Sequence, residues 1–216
     1  MKDTKTIIFD WDGTLHESMH IYYEAFVCGY QLCVDKNIAT PKTWSKDVVK
    51  TFLGINPKVL WNELLPYASD EDKQFISKTI GANMLAFIEE NKAKLYPETL
   101  DVLTYLKNKG YKLIYLSNSN VYYMEAMKKA FNLETYFDQF YVSESFGYIP
   151  KKEILAGIKD QLLSPMVMIG DRDLDIETGT YNHIKTIGCL YGYGTKDELK
   201  DADLWIESIQ ALKSIF

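Results

Sequence analysis

The sequence predicts an α/β protein, a parallel sheet with an all-helical segment inserted near its start, on three observations. Short apolar runs at Thr6 to Phe9, Lys112 to Leu116, Met166 to Ile169 and Thr186 to Leu190 recur with helical segments between them, as buried parallel strands do. That alternation stops between Met19 and Asn91, where Ile21, Tyr22, Ala25, Phe26, Tyr30 and Cys33 fall at helical spacing instead. Three of the four runs also end in polar residues, at the strand ends where open α/β sheets bind ligands.

At 216 residues the chain is long enough for a core domain carrying a smaller inserted one. The expected division is residues 1–15 and 95–216 for the core and 16–94 for the insertion, with crossings near Leu15 to Ser18 and Asn91 to Tyr96. Pro41, Pro57 and Pro66 break the insertion into several helices, and Asp70 to Glu90, free of proline, reads as one long helix. Beyond it, Pro97 opens a helix that runs to Lys109 and stops at Gly110, before the sheet resumes at Tyr111.

A formal net charge of −6, from 24 basic and 30 acidic residues, argues against binding a phosphate backbone, so nucleic acid is not an expected partner. No apolar run approaches the roughly 20 residues needed to span a bilayer, and an Asp interrupts the first one; a cytoplasmic protein without a membrane partner is expected. Cys28, Cys33 and Cys189 form no CxxC pair and indicate neither a disulfide framework nor a cysteine zinc site. Nothing in the helix patterning fixes an oligomeric state.

The chemistry gathers at the strand ends. Asp10 and Asp12 follow the first run; an ionised carboxylate can attack phosphorus directly, and a second one nearby can serve as acid and base. Gly13 lets the backbone turn tightly toward the site. Ser117 and Asn118 end the second run and can hydrogen-bond a phosphoryl oxygen. Lys151 and Lys152 begin a helix and supply an ammonium. Asp171, Asp173 and Asp175 follow the third run. Carboxylates converging on one edge repel unless a cation joins them, and oxygen ligands suit Mg²⁺.

In this order, DWDGT, the LSN after a strand, a basic segment and GDRDLD resemble the haloacid dehalogenase superfamily along the whole chain. The resemblance implies a Rossmann-like core with an inserted helical cap. It also implies Asp10 as nucleophile, Asp12 as acid and base, Ser117 as phosphate ligand and a lysine that neutralises charge. Mg²⁺ would be held by Asp10, the Asp12 carbonyl and Asp171, with Asp175 as a further acidic residue. The tail LYGYG with Glu198 and Leu199 is similar to phosphoglycolate phosphatase relatives, and Gly54 resembles a substrate-loop glycine of the cap. Gly13, Asn118 and Gly54 complete the expected substrate-binding set. These relatives carry Lys directly before the proline where this chain has Ile149, which shifts the expected lysine to Lys151. Asp173 fits either the site or the first turn of a helix, where an acidic residue is favourable for stability alone.

His16 to His20 spells HExxH, a zinc-hydrolase signature, but it abuts DWDGTL instead of lying within a helix, and the next histidine is the distant His183. A dehalogenase would lack Asp12. A sugar phosphomutase shares the motifs, and a non-catalytic phospho-ligand module would lack one of the leading carboxylates. The expectation is therefore a Mg²⁺-dependent phosphatase that acts on a small phosphorylated metabolite through an aspartyl-phosphate.

Overall fold

The computed structural model describes residue 1, residues 3–55 and residues 57–216. The chain divides into two compact units, Met1–Glu17 with Leu95–Phe216, and Ser18–Lys94. The first crossing thus comes two residues later than the sequence suggests. His16 belongs to the first unit because its backbone bridges Asp12 and Leu95 and its side chain is fully buried.

The first unit is built on six parallel strands, β1 (Thr6–Phe9), β2 (Lys112–Ser117), β3 (Gln139–Val142), β4 (Met166–Gly170), β5 (Lys185–Cys189) and β6 (Leu204–Ile206), in the order β3-β2-β1-β4-β5-β6. This is a Rossmann-like doubly wound sheet, in which the strand order reverses between β1 and β4 and opens a crevice at their carboxyl ends. Strands β1 and β4 are buried throughout, and β2 is buried after its first residue. Their continuous apolar runs follow, since both faces of a central parallel strand are covered. The outer strands β3 and β6 are short and partly exposed, with the sequences QFYV and LWI. Partial exposure sets them apart from the central strands, and neither was among the runs read as strands from the sequence.

Among the described residues the second unit holds four helices, α1 (Met19–Asp35), α2 (Lys46–Lys50), α3 (Pro57–Leu64) and α4 (Asp70–Glu89). The expected helical stripe on α1 is real: Ile21, Ala25, Phe26, Tyr30 and Cys33 are all buried. Helix α4 starts where Ser69 accepts the backbone N–H of Asp72 and three acidic residues occupy the first turn, a favourable charge at a helix N-terminus. Phe26 centres this unit's core. Its ring stacks on Trp61 at 5.8 Å and meets Trp44 edge-on at 5.2 Å.

Five helices complete the first unit: α5 (Thr99–Asn108), α6 (Val121–Phe131), α7 (Lys151–Ile158), α8 (Asp173–Tyr181) and α9 (Leu212–Ile215). Helix α5 starts two residues after Pro97, because Glu98 turns the chain through a left-handed conformation at φ 66°. Register brings the functional strand ends together. Phe9 lies opposite both Tyr115 of β2 and Ile169 of β4, so Asp10, Ser117 and Asp171 all emerge at one edge around the β1–β4 switch point.

Truncating Phe26 to Ala removes the ring on which the aromatic cluster closes and should cost about 3–5 kcal/mol. Urea unfolding followed by tryptophan fluorescence, which reads Trp44 and Trp61, should show the midpoint fall; an unchanged midpoint would contradict this packing.

Candidate active site

Asp10 directly follows β1, and its backbone N–H donates to the Ile169 carbonyl at 2.9 Å, tying it to β4. The Lys151 ammonium, at the first turn of α7, bridges two carboxylates, donating to Asp10 Oδ1 and Asp175 Oδ1 at 2.6 Å each. All three side chains are buried. Lys152 points elsewhere and makes an ion pair with Glu177 in which Glu177 is half exposed. Of the two lysines, Lys151 is the one bonded to Asp10. Burial alone would lower the Lys151 pKa, but Asp10 and Asp175 outweigh it and hold the ammonium above the ordinary lysine range.

Asp171 follows β4 and is fully buried. Its Oδ2 accepts the Tyr193 backbone N–H at 2.7 Å, and Thr14 Oγ1 lies 3.1 Å from its Oδ1 and 3.4 Å from Asp10 Oδ2. Glycines make room for this carboxylate. A Cβ on Gly13, which sits at φ 90°, would fall 2.2 Å from Asp171 Oδ2, and one on Gly192 would fall 2.3 Å from Asp171 Cβ. Any side chain there would collide with the acid. Gly13 therefore shapes the site by what it lacks.

Asp10, Asp171 and Asp175 each offer a carboxylate oxygen, and these atoms lie within 4.8 Å of one another. Asp175, the further acidic residue expected at the metal site, also accepts three hydrogen bonds. Oδ1 takes Lys151, and Oδ2 accepts the backbone N–H groups of Asp171 and Arg172 at 3.1 Å each. Three of its roughly four lone-pair sites are used, so Asp175 anchors the lysine and the turn after β4. Burial, then the neighbouring Asp175, pushes the Asp171 pKa up to about 7. The same two causes, with Asp171 added and Lys151 opposing, push Asp10 well up. One ammonium does not balance three buried acids, and a hard divalent cation fits the remaining charge and the all-oxygen donor set.

Asp12 lies at the same edge, with its side chain about one quarter exposed. Its Oδ1 receives two groups, His16 Nδ1 at 2.9 Å and Tyr123 Oη at 2.6 Å. Ser117 is buried at the end of β2, where its Oγ accepts the Ser119 N–H, and Asn118 beside it is exposed. Asp173 is exposed in the first turn of α8. Gly54 lies in the helical unit, in an exposed turn after α2 at φ 84°, a conformation that by itself accounts for glycine. The HExxH reading fails on helix boundaries: α1 begins at Met19, so His16 and His20 do not share a helix. Thr14, His16, Tyr123 and Tyr193 had not been singled out for this site. Thr14 closes the leading motif DWDGT and Tyr193 sits inside GYG, but a backbone N–H or an aromatic hydroxyl leaves no spacing signal.

A family model for haloacid dehalogenase-like hydrolases matches residues 4–181. The chain belongs to this family. It is 27% identical to the phosphoglycolate phosphatase of Aquifex aeolicus over 200 residues, covering 88% of this chain and 86% of that protein. Among solved structures, a haloacid dehalogenase-like family hydrolase from Streptococcus pneumoniae superposes with a TM-score of 0.80 at 20% identity, covering all of both chains. CbbY from Rhodobacter sphaeroides, in complex with phosphate, superposes with a TM-score of 0.80 at 18% identity, covering 97% of this chain and 96% of that one. Family and relatives together place the chain among the phosphatase-type hydrolases of this fold.

The crowding of buried acids sets a pH dependence. Because the folded-state pKa of Asp171 lies above the value of about 3.9 for a free Asp, the unfolded chain releases that proton first. Metal-free protein should therefore lose stability as pH rises from about 4 to about 7. Asp171→Asn removes this loss, and in chelator at pH 8 its melting temperature should exceed that of the unaltered protein by about 3 °C or more. Thermal unfolding across this pH range checks it; an equal or lower value would place the excess charge elsewhere.

Proposed function

We propose that this hydrolase is a Mg²⁺-dependent phosphatase that transfers the phosphoryl group of a small phosphorylated metabolite to Asp10 and then to water. The observation that carries this reading is the buried set Asp10–Lys151–Asp175 with Asp171 beside it, at the switch point of the sheet. Bound Mg²⁺, held by Asp10, Asp171 and the backbone carbonyl of Asp12, would supply positive charge against the transferring phosphoryl oxygens.

The chain's own residues account for the remaining chemistry. Lys151 fixes Asp10 through Oδ1, leaving Oδ2, on the Thr14 side, as the oxygen to attack phosphorus. As the bond from Asp10 to phosphorus forms and the ester bond breaks, Asp12 gives its proton to the departing oxygen. The resulting acyl phosphate is then opened by water, whose proton returns to Asp12. Ser117 at the end of β2 and the Lys151 ammonium offer a hydroxyl and a charge to the phosphoryl oxygens. Gly13 and Asn118 line the same edge. Asp175 acts through Lys151, keeping it charged and aimed.

The similarity to a phosphoglycolate phosphatase makes 2-phosphoglycolate the first metabolite to try. The class of reaction is tested with p-nitrophenyl phosphate. Activity should require Mg²⁺, vanish in chelator, and fall at least about 10³-fold in Asp10→Asn with the fold intact. Turnover that survives either change would remove Asp10 or the metal from the mechanism.

A further inference from the structure

We propose that His16 and Tyr123 form a clamp on Asp12 that selects Oδ2 as the oxygen carrying the transferable proton. This inference rests on the phosphatase reading and assigns two positioning residues to its proton-transfer step. Both groups converge on a single oxygen: His16 Nδ1 lies 2.9 Å and Tyr123 Oη 2.6 Å from Asp12 Oδ1, and the two lie 3.0 Å from each other. A carboxyl oxygen that accepts two hydrogen bonds is the carbonyl-like one. Oδ2 is then the oxygen left to hold the proton that the phosphatase reading assigns to Asp12.

Each member of the clamp is itself held. The His16 ring is fully buried and stacks on Trp11 at 5.7 Å with 16° between planes. Its backbone N–H donates to the Trp11 carbonyl, and its carbonyl accepts the Gly13 N–H. The histidine is thus part of the turn that follows β1. Tyr123 comes from α6, where the Asn120 side chain caps the helix by accepting the Tyr123 N–H at 2.8 Å. Its hydroxyl is the donor to Asp12 Oδ1. The tautomer that completes the pair carries its proton on Nδ1. A histidine at this place in the chain reads from sequence as half of a zinc motif; the structure gives it a carboxylate partner instead.

In the first chemical step, the Asp10–phosphorus bond forms, the ester bond breaks, and the departing oxygen takes the Oδ2 proton. Dependence on that proton follows the basicity of the leaving group. p-Nitrophenolate is a weak base and departs unprotonated, whereas phenolate, with a conjugate-acid pKa of about 10 like tyrosine, needs the proton. A clamp that aims the proton should matter for phenyl phosphate and matter little for p-nitrophenyl phosphate, two esters of nearly the same shape.

The test uses full-length protein with Mg²⁺ and reads kcat/KM for both esters. Tyr123→Phe, which is isosteric and removes only the hydroxyl, and His16→Leu should each raise the ratio of p-nitrophenyl phosphate to phenyl phosphate at least about tenfold, within the range of general-acid effects. His16→Asn, which keeps an N–H near Nδ1, should bring the ratio back to within about threefold of the unaltered protein. If Tyr123→Phe lowers both esters equally, or neither, the clamp is overturned while the phosphatase reading stands. If the unaltered protein hydrolyses these esters without needing Mg²⁺ or Asp10, the phosphatase reading fails and the clamp fails with it.

Discussion

A single ammonium buried among carboxylates is the constraint on which the rest of the site depends. Lys151 lies between Asp10 and Asp175 at hydrogen-bonding distance from both, and breaking such a buried pair by removing one partner is costly because the remaining charges are stranded. The bridge spans α7, β1 and the start of α8, so it fixes three elements to one another as well as the orientation of Asp10. It still leaves the local charge negative. That deficit gives a carboxylate-rich crevice its demand for a divalent cation, and it raises the proton affinity of Asp10 and Asp171.

Much of the fold serves that arrangement. Placing β1 at the centre of the sheet, beside β4, puts the switch-point crevice where two carboxylate-bearing strand ends meet. Glycine at positions 13 and 192 keeps side chains away from Asp171, and the Tyr193 N–H satisfies the oxygen that this space admits. Asp175 uses backbone N–H groups at the start of α8 to hold itself, then uses its other oxygen to hold the lysine. Rigid backbone thus positions the side chains that do chemistry.

The central strands, the helical insertion and four strand-end carboxylates were legible in the sequence, because continuous apolar runs ending in acids have few physical explanations. Edge strands β3 and β6 were not, since a short, half-solvated strand needs no long apolar run. Spacing favoured Lys151 over Lys152 only narrowly; the structure buries Lys151 against Asp10 and pairs Lys152 with the half-exposed Glu177. Asp175 could be placed near the site, but its bonds to Lys151 and to the backbone after β4 are visible only in three dimensions. His16 carried a motif that the sequence already argued against. Its motif suggests zinc, whereas its ring is buried against Trp11 and bonded to Asp12.

The central claim is that Asp10 becomes phosphorylated, and the most direct measurement is to trap that species. Protein mixed with Mg²⁺ and a phosphate ester, quenched in acid within milliseconds and digested, should yield a peptide spanning Asp10 heavier by the mass of one phosphoryl group, with fragmentation placing it on that residue and hydroxylamine removing it. A phosphoryl group found on another residue, or none while the ester is being turned over, would contradict the account.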